Sequence, residues 1–393
     1  MNLSKIFVLL KSCLIFSLIA LISPLSSYAY VGLCCGKCGG NMPMNIPGGG
    51  IPETHEFRLK ISPMYMNMGR FGSGTKSLNV DDYLGMPVMG GNPTGKYMAV
   101  PTNMDMYMGN ITLGYSFSDD FFGGLMLMPT KKSMDMKFST MMQGMTGKAR
   151  FTMKSEGLGD IMLMTKYRLY ADDPLIPASQ VSFFGGLSLP TGSINMKNKT
   201  HPLTMRQGEL LPYGMQLGSG TFDPTIGVLY EGSASPYWWG LNMMYTPRLD
   251  KNSKKYSLGD EFRFDMYGMY QLSYNLLAQM QLNGSFQGKI KGEMKEATEG
   301  TSGRATQGNA ASPYMTPLWD PKNSGHGKVS ITAGMQWQPL PSHIIDLNVG
   351  VPLYNQVNGT QIRENFRVML TWYIEIPTPK SRRYTGSKSK LGF

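Results

Sequence analysis

The chain has 393 residues, 41% of them hydrophobic and only 16% charged, with a formal net charge of +11. A basic balance can serve nucleic acid, but the lysines and arginines here are not interleaved with aromatics on one face. They gather in loops and in a tail holding Lys380, Arg382, Arg383, Lys388 and Lys390, which suits anionic lipid headgroups or solutes and argues against a nucleic-acid partner.

At the N-terminus, Lys5 precedes a largely apolar stretch from Ile6 to Leu25, and Ser27-Tyr28-Ala29 offers a small-x-small cleavage site, so residues 1–29 are expected to be a signal peptide. Residues 30–54 are expected to be a flexible periplasmic leader rich in Cys, Gly and Met. Cys34, Cys35 and Cys38 lie there, and an odd number of cysteines in an oxidising compartment leaves at least one thiol free, metal-bound or paired with another chain. A simple disulfide and a thiolate metal site both fit this cluster, and one CxxC-like motif does not choose between them.

Beyond the leader, no run reaches the ~18 apolar residues of a spanning helix, and 47 glycines and 25 prolines interrupt helical periodicity. Period-two alternation takes its place. It predicts twelve strands, near 55–68, 104–117, 120–138, 156–170, 179–190, 220–231, 236–247, 258–272, 275–289, 327–338, 343–353 and 362–376. Short turns alternate with long loops, the longest being 69–103, 191–219 and 290–326. Each strand has an apolar face and a polar or methionine face. In the last one Phe366, Val368, Leu370, Trp372 and Ile374 oppose Arg367, Thr371, Tyr373 and Glu375. Only helices and closed barrels satisfy their backbone in lipid. The expected fold is therefore all-β, a transmembrane antiparallel β-barrel of about twelve strands over 55–377, with periplasmic termini and a basic tail over 378–393. Its location would be the Gram-negative outer membrane.

The inner faces carry the candidate functional residues. Arg58, Lys60, Met64 and Met66 come from the first strand, Met104, Met106 and Met108 from the second, and Asp160, Met162, Met164, Lys166 and Arg168 from the fourth. Further inner charges are Glu261, Arg263, Asp265, Asp346, Arg367 and Glu375. These fit either an ion-pair network filling a narrow lumen or a selectivity filter. The chain has 34 methionines. Met134, Met136, Met141, Met142 and Met145 extend the inner set beyond the wall. Three readings of the methionines stay open: flexible packing, a path for an apolar or aromatic solute, and soft-metal ligation of Cu(I) or Ag(I). Two Met-x-Met sulfurs on one strand face would lie ~7 Å apart.

No catalytic constellation emerges. His55, His201, His326 and His343 fall at strand ends or in loops without a serine at triad spacing, and no phosphate or dinucleotide fingerprint follows a strand. An enzyme is not expected. Gly157-Leu158-Gly159-Asp160, Gly186-Leu187-Ser188-Leu189-Pro190-Thr191-Gly192-Ser193 and Met215-Gln216-Leu217-Gly218-Ser219-Gly220-Thr221-Phe222-Asp223-Pro224, with the Met-rich first strands, make the chain resemble the outer-membrane MetA-pathway of phenol degradation family of transporter-like barrels. That resemblance implies a barrel and uptake of small, aromatic molecules. Relatives begin with a His- and Met-rich stretch, whereas this chain has Cys34, Cys35, Cys38, Met42 and Met44 there.

The reading that results is an outer-membrane channel for a small solute, aromatic or apolar, without a resident cofactor. Its expected partners are outer-membrane lipid, the solute and the barrel assembly machinery. The alternatives are a soft-metal barrel handling Cu(I) or Ag(I), and a structural or adhesive protein acting through loops 69–103 and 290–326.

Overall fold

The computed structural model describes residues 42–49, 54–89, 92–173, 177–340 and 342–381. Its strands are β1 (Glu56–Gly74), β2 (Lys76–Ser77), β3 (Val88–Met89), β4 (Asn92–Pro93), β5 (Ala99–Ser116), β6 (Phe121–Leu127), β7 (Pro129–Phe138), β8 (Arg150–Leu158), β9 (Ile161–Ala171), β10 (Ser179–Leu189), β11 (Asp223–Ala234), β12 (Tyr237–Thr246), β13 (Glu261–Ser273), β14 (Leu276–Gln287), β15 (His326–Leu340) and β16 (His343–Pro377). Hydrogen bonding runs β1-β16-β15-β14-β13-β12-β11-β10-β9-β6-β5 and returns from β5 to β1, so the sheet closes on itself with every neighbour antiparallel.

Eleven strand elements close the ring, and the last supplies two staves. β16 pairs with β15 through its first half and with β1 through its second. Between them the chain reverses at Asn358-Gly359. Gly359 has φ 63°, and a Cβ there would lie 2.0 Å from Asn323 Oδ1, so conformation and space both require glycine. Glu375 N donates to Ser342 O at 3.0 Å, as a hairpin centred on that reversal demands. The barrel thus has the expected twelve antiparallel passes.

The third expected strand, 120–138, is broken at Met128. Pro129 opens β7 without a ladder donor. β5 spans the break, pairing with β6 through residues 111–116 and with β7 through residues 99–108. β8 and β9 part at the same level, at Gly159-Asp160. Thus β6 and β9 stay in the wall while β7 and β8 rise above it as a hairpin.

The two ends of the barrel differ. The strand pairs β5/β6, β9/β10, β11/β12, β13/β14 and β15/β16 are joined by short connections at the end where β1 begins and β16 finishes, and the long loops lie at the other. Phe57, Leu113, Leu163, Tyr167, Met280, Leu347, Val349 and Trp372 lie exposed on the outer face. Their strand neighbours Arg58, Thr112, Met164, Lys166, Gln279, Gln281, Asp346, Asn348, Thr371 and Tyr373 are buried within. A water-facing surface would not carry this continuous apolar band, and a hydrocarbon-facing one must. We expect Val349→Arg, mid-strand on the outer face, to cost ~2–4 kcal/mol in unfolding from lipid vesicles.

Candidate functional site: a lumen closed at both ends

The free leader expected over 30–54 does not extend to Met42–Gly49, which sits inside the barrel at the terminus-bearing end. Met42 and Ile46 pack on Leu229, Trp238, Tyr267, Met269 and Leu277, and Met44 packs on Ile344 and Tyr373. Two tight turns make the segment compact, with Ile46 N on Pro43 O at 3.2 Å and Gly49 N on Ile46 O at 3.0 Å. Gly48 takes φ 86°, and a Cβ on Gly49 would meet Pro43 O at 2.7 Å. Cys34, Cys35 and Cys38 lie outside the described residues, as do the signal peptide and residues 382–393.

A chain crossing a lumen must find partners for its backbone, and the inner charges supply them. Asp346 Oδ2 accepts from Met44 N at 2.9 Å, and Lys60 Nζ donates to Met44 O at 3.0 Å. Arg58 Nη1 donates to Gly49 O at 2.7 Å, and Gln336 Nε2 to Met42 O at 2.9 Å. Asn45 and Gln281 exchange two amide bonds, each 2.9 Å. Arg58 also lies over the Phe122 ring, 4.1 Å from its centroid, with Nη2 3.7 Å from Met164 sulfur. Arg58, Lys60 and Asp346 therefore anchor a plug. Gln279 and Asn348 brace the Asp346 carboxylate, donating at 2.6 and 2.9 Å.

Around and beyond the plug the lumen lining has a polar and an apolar part. Asp265 accepts from Asn242 at 3.1 Å and from Asn283 at 2.8 Å. Thr332 and Arg367 donate to Asn283 Oδ1 at 2.6 and 3.2 Å. An apolar patch of Phe122, Met164, Phe184 and Met244, with Met126 and Met162 against them, runs from Arg58 at the plug, which lies over Phe122, to β12, where Met244 adjoins Asn242.

The long-loop end is capped by its own core. Phe71, Met104, Met134, Met136, Phe138, Phe151, Met153, Leu211 and Met215 form one cluster, and Leu210, Tyr213, Tyr256, Met294 and Trp319 another. Arg206 staples segment 190–222 to segment 288–325 through Arg304 O at 3.1 Å and Ala305 O at 2.6 Å. Asp160 fixes the base of segment 190–222. Its carboxylate accepts from Gly192 N at 2.8 Å, Ser219 N at 2.8 Å and Ser219 Oγ at 2.9 Å.

His201 lies in this cap against Phe138 and Phe151, with Nδ1 accepting from Leu203 N at 3.1 Å. Burial first, then the charge of Arg206, lowers its pKa to about 4. The folded cap holds the ring neutral, so its contribution is full above the ordinary histidine value and is lost as pH falls from ~6.5 towards 4. Proteolysis within 190–222 should accelerate between about pH 7 and 5, and His201→Phe should abolish that step. Glu209 is raised by burial and shifts in the opposite sense, so the comparison with His201→Phe isolates the histidine.

The sequence-derived lumen residues thus separate into groups. Arg58 and Lys60 hold the plug, while Lys166 forms a buried pair with Glu231 at 3.0 Å, to which Gln180 also donates. Met64, Met66, Met106 and Met108 line the β1–β5 wall, and Met104 is buried beneath the cap. Met162 and Met164 belong to the apolar patch. Asp160 is a loop junction, and Arg168 pairs with Asp120 at the short-turn end. Sequence reasoning missed Met42–Gly49 and its partners Gln281 and Gln336. The dense apolar run Met42-Pro43-Met44-Asn45-Ile46-Pro47 was the available signal, being too hydrophobic for a solvated linker.

No family model and no curated protein sequence matches the chain. Among solved structures, the COG4313 outer membrane channel from Pseudomonas putida F1 is similar with a TM-score of 0.52 at 10% identity, covering 84% of this chain and 99% of that one. A Pseudomonas aeruginosa FadL homologue gives a TM-score of 0.38 at 11% identity, covering 88% and 96%. The P. putida toluene transporter TodX gives 0.37 at 8%, covering 83% and 91%. The likeness to the first, with the closed ring and the apolar outer band, makes the fold of this chain that of an outer-membrane β-barrel.

Proposed function

We propose that the protein is an outer-membrane channel, not an enzyme, that passes a small apolar or aromatic solute through a lumen gated at both ends. The observation that carries this reading is the lumen itself. One part of the lining is Phe122, Met126, Met162, Met164, Phe184 and Met244, and another is a hydrogen-bonded network of Asn242, Asn283 and Thr332 around the Asp265 carboxylate and the Arg367 guanidinium. A flexible thioether and aromatic lining accommodates apolar solutes of varied shape, while Asp265 and Arg367 are each engaged by neighbouring amides. The resemblance to the MetA-pathway of phenol degradation barrels points to the same solute class, and the similar P. putida F1 protein is itself described as an outer membrane channel. The barrel sits in the Gram-negative outer membrane, with lipid against its apolar band and insertion by the barrel assembly machinery.

Uptake into proteoliposomes across aromatic, sugar and ionic solutes tests the reading. Aromatic solutes should enter faster than into empty vesicles, and sugars of similar size should not. Equal rates for all solutes, with and without protein, would remove the proposed role.

A further inference from the structure

We infer that the methionine row beneath the cap is a binding site for a soft monovalent cation, Cu(I) or Ag(I). Met68 lies opposite Met104 across β1 and β5, Met104 opposite Met134 across β5 and β7, and Met134 opposite Met153 across β7 and β8. Four thioethers therefore stand side by side on four adjacent strands, at one level and on one face. Directly opposed side chains start ~4.5–5.5 Å apart at Cβ. Methionine's flexible stem lets neighbouring sulfurs from such a row converge on one ion. Met104, Met134 and Met153 are 3%, 3% and 2% exposed, and Met68 packs against the same cluster.

The donor set decides the ion. Thioethers are neutral and soft, so they favour Cu(I) and Ag(I) over hard or borderline divalent cations. They carry no proton to displace, so binding should not follow pH as thiolate or imidazole sites do. The apolar surroundings of Phe138, Phe151, Leu211 and Ile362 penalise a cation that keeps its water, and leave ligation by sulfur as its compensation. Filling volume does not require this pattern. Leucine, isoleucine and phenylalanine fill a core with better-defined rotamers, yet methionine occupies all four directly opposed positions.

One cation already stands nearby. Lys132, two residues before Met134, directs Nζ to Gly214 O at 2.9 Å and to Gln216 O at 2.6 Å. The cap carbonyls thus draw the ammonium towards themselves, and its remaining charge sets an upper limit on affinity. This site is independent of solute passage, so either assignment can fail alone.

The test uses the full mature chain in detergent with Cys34, Cys35 and Cys38 replaced by Ser, so that leader thiols cannot capture the probe. Titration with silver nitrate in chloride-free buffer should reveal one tight equivalent, unchanged between about pH 7 and 8.5, above the range in which His201, stacked on Phe138 and Phe151, loosens the cap. Met104→Leu with Met134→Leu, which conserves volume, should weaken it by at least about tenfold while heat-modifiable mobility shows a folded barrel. Met64→Leu with Met108→Leu should leave it unchanged. X-ray absorption on the silver-loaded parent should show sulfur ligands alone, a readout that does not depend on the variants folding. No tight equivalent, one that survives the Met104 and Met134 changes, or nitrogen and oxygen in the first shell would overturn the assignment.

Discussion

A variant lacking Met42–Gly49 should conduct ions across planar bilayers several-fold better than the intact chain. The segment fills the terminus-bearing end of the lumen, with Met42 and Met44 fully buried and Ile46 at 1% exposure. Its removal uncovers Arg58, Lys60 and Asp346 together, turning buried anchors into a hydrated constriction of mixed charge. The barrel wall does not depend on the segment for its ladder, because every strand of the closed ring already has two neighbours. The deleted protein should therefore keep its heat-modifiable mobility. A milder form is Lys60→Met, which leaves Met44 O without its donor and should raise the frequency of brief openings. Conductance unchanged by the deletion would show that the loop cap alone closes the pore.

The second large effect is expected at Asp160. Its carboxylate accepts three hydrogen bonds, two of them from the buried backbone of Gly192 and Ser219. Asp160→Ala would orphan both N–H groups, at about 1–3 kcal/mol each. The cost should fall on the cap, because Asp160 lies in the break between β8 and β9 and takes no part in the wall ladder there. Gly218→Ala should act on the same joint, since a Cβ at Gly218 would lie 2.5 Å from both Asp160 Oδ1 and Gly192 O. For both variants, protease cleavage within 190–222 should accelerate while the barrel's unfolding midpoint moves little. A global loss of the barrel, or no change in cleavage, would sink the assignment of Asp160 as a cap joint.

How much of this was written locally depends on the element. The staves were legible because lipid outside and a packed lumen inside impose a strict period of two on every pass, as Ile345, Leu347 and Val349 against Asp346 and Asn348 illustrate. The inward direction of Arg58 and Lys60 followed from the same rule. What they touch did not, because Gly49 O and Met44 O are main-chain acceptors that no side-chain pattern marks, and the third anchor, Asp346, lies 302 positions from Met44. The plug was hidden by composition, since its Gly-Gly-Gly and Pro punctuation is also that of a linker. The break at Met128 was masked by unbroken alternation from β6 into β7, where Pro129 was the only sign. The cap resisted prediction for a related reason. Segments 190–222 and 288–325 are polar and irregular in sequence, and their order comes from pairing with each other, as Arg206 with Ala305 O shows.

The reversal at Asn358-Gly359 has a topological consequence. The ring is sealed where the first long strand meets the last, so nothing encloses an interior until the chain's final segment arrives. Met42–Gly49 is gripped from both sides of that seam, by Arg58 and Lys60 on one and by Asp346, Ile344 and Tyr373 on the other. An unsealed precursor offers it only part of its grip, so the same few residues that stopper the finished cylinder also reward its two edges for meeting.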